Sequence, residues 1–321
     1  MYNPSPPERG QGRATKRTRR RRGPRGRAIA ERPLSGGLLL DKPSGITSAR
    51  AVSKVKRLLP RKTRIGHTGT LDPLASGLLV LLVGRATRLS RYVTELGKTY
   101  TAIARLGAVS DTLDAEGNIS ALDTPLPSEE DIRNALSVFT GDLMQIPPMA
   151  SALKREGVRL YDLHRRGITV EREARQVRIE RFELTYLDPN VQSAAFEISC
   201  SSGTYVRTLI SDLAASVGSG AYLTALRRTS VGHLTVEAAP APDELRPKTL
   251  HNHIIPPLEM VAHLPQVIVP EEVGRGLVCH GRRLERAGLE GSYRVMSGGE
   301  LLAVYRDDGD KARAEVVLCA E

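Results

Sequence analysis

One carboxylate in this chain stands where it could do chemistry. The run Gly66-His67-Thr68-Gly69-Thr70-Leu71-Asp72-Pro73-Leu74-Ala75-Ser76-Gly77 sets Asp72 among glycines and hydroxyls, five residues after a histidine. Pro73 disfavours the helical region for the residue before it, so Asp72 is expected in an extended loop. Gly66, Gly69 and Gly77 let a backbone or a ligand approach closely. With no cysteine, second acid or metal-ligand cluster beside it, Asp72 reads as a lone nucleophile or base. The same spacing also fits a turn in which Asp72 only accepts from local N–H groups.

Rival chemistries find little support. No GxxxxGK[ST] loop, GxGxxG turn or HExxH pair occurs. His67-Thr68-Gly69 is too short to argue for nucleotidyl transfer. His251-x-His253 lacks a third ligand nearby and reads as a surface loop. Cys200, Cys279 and Cys319 are odd in number and far apart, with no CxxC pair, so neither a disulfide framework nor a zinc knuckle is expected. A reducing cytoplasm fits that usage. The longest apolar run near the site, Leu78 to Val83, is far too short to span a bilayer.

The elements that must position Asp72 are partly legible. Residues 47–59 read as an amphipathic helix, capped by Thr47 or Ser48, striped by Val52, Val55, Leu58 and Leu59, and ended by Pro60. Arg50 to Arg64 holds seven basic residues and no acid, which is either a solvated face or a phosphate contact beside the loop. Lys98 to Gly107 reads as a strand. Ser128-Glu129-Glu130-Asp131 opens a helix running to Phe139. Ala194 to Cys200 alternates cleanly as a strand, and Arg207 to Val217 reads as a helix stopped by Gly218. Strands and helices mix without a βαβ rhythm, which predicts an α+β fold rather than a doubly wound one. The Pro-rich stretch from Asp243 to Pro265 reads as a linker to a small β-rich module.

Charge is unevenly placed. Of the net +11, residues 1–33 supply +9, from eleven Arg/Lys against Glu8 and Glu31. That tail is expected to be disordered, either as a sequence-blind phosphate tether or as a solvated extension. The nearly neutral remainder must bind nucleic acid, if it does, through local patches.

The Asp72 segment resembles the catalytic motif of TruB-type tRNA pseudouridine synthases. Gly37-Leu38-Leu39-Leu40-Asp41-Lys42-Pro43-Ser44-Gly45 resembles that family's opening strand and turn. Lys98-Thr99-Tyr100, Gln145-Ile146-Pro147-Pro148, Ser151-Ala152-Leu153-Lys154, Ser201 to Leu209 and Leu226-Arg227-Arg228-Thr229 follow in the family's order. One departure is Ala150, where many members carry tyrosine. The resemblance implies a mixed, largely antiparallel sheet with flanking helices over 34–264, and a PUA-like RNA-binding module over 265–321. It implies isomerisation of uridine-55 in the tRNA T loop by a monomer that needs no cofactor. Asp72 would be the nucleophile and Arg207 its ion-pair partner. Tyr100 would stack on the target base and Tyr205 would line the pocket. His67 would fill the gap left by the flipped uridine, and Lys42 would contact phosphate or structure nearby. An RNA-folding chaperone and a guide-RNA-dependent enzyme are the other readings.

Overall fold

The computed structural model describes residues 34–151, 153–155 and 157–319, with Met1 and Ser5. The basic tail read over 1–33 otherwise lies outside the described residues. Among the described residues the body opens with strand β1 (Gly36–Lys42), helix α1 (Ser48–Lys56), β2 (Ile65–His67) and β3 (Ser76–Val83). Helix α2 (Ser90–Thr94) and strand β4 (Lys98–Leu106) follow, then a hairpin of β5 (Ala108–Ser110) and β6 (Ile119–Ala121). Next come α3 (Glu129–Val138), β7 (Gly141–Gln145), the short pair β8 (Lys154–Arg155) and β9 (Val158–Arg159), and α4 (Leu160–Arg165). Strands β10 (Arg175–Asp188) and β11 (Ser193–Cys200), helix α5 (Val206–Ser216), and strands β12 (Ala221–Val231) and β13 (Leu234–Thr235) complete the main sheet.

That sheet runs β1-β3-β12-β4-β11-β10-β7, with β2 on β3 and β13 on β12. All its pairings are antiparallel except β12 with β3. Strand β3 is apolar without alternation because both its faces are covered. Leu79, Leu81 and Val83 enter one core, and Leu78, Val80 and Leu82 enter another. Strand β4 alternates: Tyr100, Ala102 and Ala104 face the core, whereas Thr101 and Ile103 face outward.

The helix start signals hold, but α1 ends at Lys56, before Pro60 is reached. Thr47 caps α1 by accepting from the Arg50 N–H at 3.1 Å. Ser128 and Asp131 form a reciprocal capping box on α3. Gly218, at φ +73°, follows the end of α5.

Gly77 is a requirement of the sheet. Its φ is +96°, and a Cβ there would lie 2.2 Å from the Arg228 carbonyl oxygen, because β3 meets β12 at that pair. Gly77→Ala is therefore expected to destabilise the fold by roughly 1–3 kcal/mol. Thermal unfolding checks this, and an unchanged Tm contradicts it.

Two expectations are corrected. The stretch read as a linker is packed: Leu250, Met260 and Val261 are buried. Ile255 and Gly37 exchange backbone hydrogen bonds of 2.8 Å, and Met260, the last residue of helix α6 (Pro257–Met260), lies against Gly37. Prolines bend this segment, but its apolar side chains still find the core. Beyond it, β14 (Gln266–Ile268), α7 (Glu271–Gly276), β15 (Leu284–Glu285), β16 (Ser292–Ser297), β17 (Glu300–Asp308) and β18 (Lys311–Val317) build the expected small β-rich module. Its sheet runs β14-β16-β17-β18-β15. Within it Cys279 and Cys319, read as unpaired, form a disulfide. Their 40-residue separation hid this, because the chain beyond β18 returns to the turn that holds Cys279.

Candidate active site

The Asp72 loop is held from three sides. Ser48, at the start of α1, accepts from the Leu71 N–H at 2.8 Å and donates to the Leu71 carbonyl at 2.9 Å. The turn after β1 adds Ser44 Oγ donating to Leu74 O and Gly45 N donating to Pro73 O, both at 2.8 Å. From β12, Arg228 donates to Gly69 O at 3.1 Å. Asp72 is neither helix nor strand, as Pro73 dictates. The turn reading of Asp72 as a donor-satisfied loop residue is thus replaced by backbone pins that leave its carboxylate outward.

Asp72 opens onto a cleft of about 1240 Å³. Its walls are the start of α1, the β5–β6 loop with Asp114 and Glu116, and the α4 segment with His164 and Arg165. Arg207, on the first turn of α5, reaches Asp72 at 2.8 Å and Asp114 at 3.1 Å. It also donates to the Thr112 carbonyl at 2.8 Å and to the Ala150 carbonyl at 2.7 Å. The guanidinium is nearly fully buried, whereas the Asp72 side chain keeps 38% exposure to the cleft. Protein walls around Asp72 desolvate its charge and raise its pKa; Arg207 pulls it back and Asp114 pushes it further up. The result is an ionisable carboxylate, poorly hydrated and fixed in direction by one arginine, which is what a nucleophile needs. The Ala150 departure leaves this untouched, because Arg207 uses its backbone carbonyl.

The other residues read from the sequence lie at different depths. His67 ends β2 and lines the cleft. Burial, helped by the charge of Arg228, lowers its pKa and favours the neutral ring. Tyr100 lies in the core, opposite Arg228 across the β4–β12 pair, and its phenol is raised first by burial. Tyr205 is the N-cap of α5, two positions before Arg207 on the first turn. Its backbone is clamped by Gln145, which accepts from Tyr205 N–H at 2.8 Å and donates to Tyr205 O at 3.1 Å. Lys42 is fully buried and caps its own turn, donating to Pro43 O at 2.9 Å and Ile46 O at 2.7 Å.

Lys42 and Lys98 both have pKa values lowered from 10.5 to about 8, with burial the largest cause. Between those values the unfolded chain keeps protons that the folded chain has released, so stability rises with pH. This contribution is complete above 10.5 and is lost as pH falls through about 8. Urea midpoints are expected to rise between about pH 8 and 9.5, before tyrosines titrate, and Lys42→Met should flatten the rise. The same rise in that variant contradicts the assignment.

Sequence reasoning missed Asp114, Glu116 and the α4 wall. The signal for the first two was an acidic patch, Asp111-x-x-Asp114-x-Glu116. For the wall it was an aromatic near a basic pair, Tyr161 before Arg165-Arg166; the Arg165 guanidinium lies 4.9 Å from the Tyr161 ring centre. Among the described residues no group of three His, Cys, Asp or Glu side chains is placed to hold a metal.

The fold is that of a pseudouridine synthase. The profile of the TruB family pseudouridylate synthase N-terminal domain matches residues 56–206. "tRNA pseudouridine synthase B" of Azoarcus sp. (strain BH72) is 42% identical over 283 residues, covering 87% of this chain and 93% of that protein. The protein of the same name from Cupriavidus metallidurans (strain ATCC 43123 / DSM 2839 / NBRC 102507 / CH34) is 42% identical over 290 residues, covering 88% and 90%. The fold matches a chain of a Cbf5-Nop10-Gar1 complex with TM-score 0.64 at 24% identity, covering 89% of this chain and 84% of that one. It also matches a chain of an H/ACA RNP bound to a substrate RNA containing 2'-deoxyuridine, with TM-score 0.66 at 23% identity, covering 89% and 85%. This chain belongs to the TruB family of pseudouridylate synthases.

Proposed function

We propose that this protein isomerises uridine-55 in the T loop of tRNA to pseudouridine, with Asp72 as nucleophile. The observation that carries the reading is the Asp72 carboxylate, aimed into a cleft and held at 2.8 Å by Arg207. Relatives at 42% identity bear the name tRNA pseudouridine synthase B, which supports tRNA as the substrate.

The reaction breaks N1–C1′ and makes C5–C1′; C5 gives up its proton and N1 gains one. Nothing is oxidised or added. Asp72 attacks the uridine and holds it by a transient bond while the base turns; that bond breaks again before pseudouridine leaves, which returns the free carboxylate. The uridine must leave its stack to reach the cleft. Neutral His67 fills the space it vacates, Tyr100 stacks against the base, and Tyr205 flanks it. Buried Lys42 supports the turn that pins the Asp72 loop.

The RNA backbone is met by the basic run around α1. Arg50, Lys56, Arg57, Arg61, Lys62 and Arg64 are exposed, and the same helix lends its start to the cleft. Such contacts place the RNA without reading its sequence. The catalytic unit is assigned to 34–264 and a PUA-like RNA-binding unit to 265–321. The protein works as a monomer in the cytoplasm. Among the described residues no helix is long and apolar enough to cross a membrane.

The test is an unmodified tRNA transcript incubated with the protein alone, mapped for pseudouridine, beside a transcript carrying cytidine at position 55. Conversion at uridine-55 in the first and none in the second is expected. Conversion at other uridines in both transcripts refutes the assigned position.

A further inference from the structure

Arg228 is 3% exposed in the middle of β12, and no step above uses it. Its Nε donates to the Leu78 carbonyl at 2.8 Å, on β3. One Nη donates to Gly69 O at 3.1 Å, three residues before Asp72. Its third neighbour is Tyr100. The register places the two directly opposite across β12 and β4, where Cβ atoms stand about 5 Å apart. The register sets the guanidinium beside the phenol, and its charge lowers a phenol pKa that burial raises more strongly.

Charge makes this arrangement costly. Arg228 sits near Lys42, Lys98 and His67, and disfavours the protonated form of each. Its hydrogen bonds to Leu78 and Gly69 both end on carbonyls. A neutral side chain would pack here with less desolvation penalty. What an apolar side chain could not do is orient a hydroxyl. A guanidinium has five donors and no acceptor. A phenol beside it must accept, so its own proton points elsewhere. Burial keeps that phenol protonated near neutral pH.

We propose that Arg228 is a positioning residue of the pseudouridine-forming site, locking the Tyr100 phenol and the Asp72 loop into one frame. The inference rests on the reaction assigned above. Arg228 touches neither base nor sugar; it acts through Tyr100 and through Gly69.

The test is a double-mutant cycle on single-turnover pseudouridine formation at saturating tRNA transcript, using Tyr100→Phe, Arg228→Lys and the double variant. Each single change is expected to slow the reaction on the order of 100-fold, with tRNA Kd moved less than about twofold. The double variant should be no slower than the slower single variant. Losses that multiply overturn the proposal, because Arg228 then acts independently of Tyr100. If Arg228→Lys does not fold, Tyr100→Phe decides alone: the 100-fold loss supports the frame, and a wild-type rate overturns it. A wild-type chain that makes no pseudouridine sinks the assigned reaction too, whereas an active wild type with multiplying losses sinks this inference only.

Discussion

Asp72→Asn is expected to fold, to bind tRNA and to make essentially no pseudouridine. The amide keeps the shape of the carboxylate and cannot attack carbon. Loss of an acting nucleophile costs on the order of 10⁴-fold in rate. The fold should survive, because Arg207 keeps the Asp114 carboxylate and the carbonyls of Thr112 and Ala150. The sign of the Asp72 shift agrees. Its folded pKa is raised, with desolvation the largest cause, so the unfolded chain gives up this proton first. Stability from this group is therefore greatest at low pH and falls as pH rises through the titration. Removing the charge does not remove a stabilising term at neutral pH. The same shift fixes the acid limb of the rate: activity falls on acidification with an inflection above 3.8, the ordinary value for an aspartate. A single-turnover pH profile that turns only at or below that value contradicts the assignment.

Arg207→Met has the largest expected effect on stability. The arginine satisfies two carboxylates at once, and Asp114 is itself only 2% exposed. Removing one partner of a buried pair typically costs about 3–5 kcal/mol, because the other charge stays buried. The urea midpoint should fall accordingly, and pseudouridine formation should be lost in whatever folds. Arg207→Lys should rescue little, since one ammonium cannot reproduce a planar fork reaching Asp72, Asp114 and two carbonyls. Asp114→Asn tests the cause: combined with Arg207→Met it should recover part of the stability, because it removes the stranded charge. Unchanged stability in Arg207→Met contradicts the buried-network account.

What could be read from the sequence was what local chemistry decides. Pro73 kept Asp72 out of a helix, Thr47 and Ser128 started helices, and the strands read over Lys98 to Gly107 and Ala194 to Cys200 are found as Lys98–Leu106 and Ser193–Cys200. What could not be read depends on pairings between distant segments. Asp114 meets Arg207 only because the β5–β6 loop folds over the start of α5. Cys279 meets Cys319 only through the return beyond β18. Arg228 is a motif residue whose partners, Leu78, Gly69 and Tyr100, come from three other segments. The linker reading failed because prolines mark bends and do not report what the residues between them bury. Lys54, counted in an unbalanced basic run, is matched by Asp243 at 2.7 Å from a segment 189 positions away.

The most direct test of the central claim is pseudouridine mapping on an unmodified tRNA transcript, with wild type and Asp72→Asn at equal folded concentration and no cofactor. The expected result is conversion of the single T-loop uridine by wild type and none by a variant that still binds the transcript. Conversion by Asp72→Asn at the wild-type rate would contradict it, because the carboxylate aimed into the cleft would then not be the group that does the chemistry.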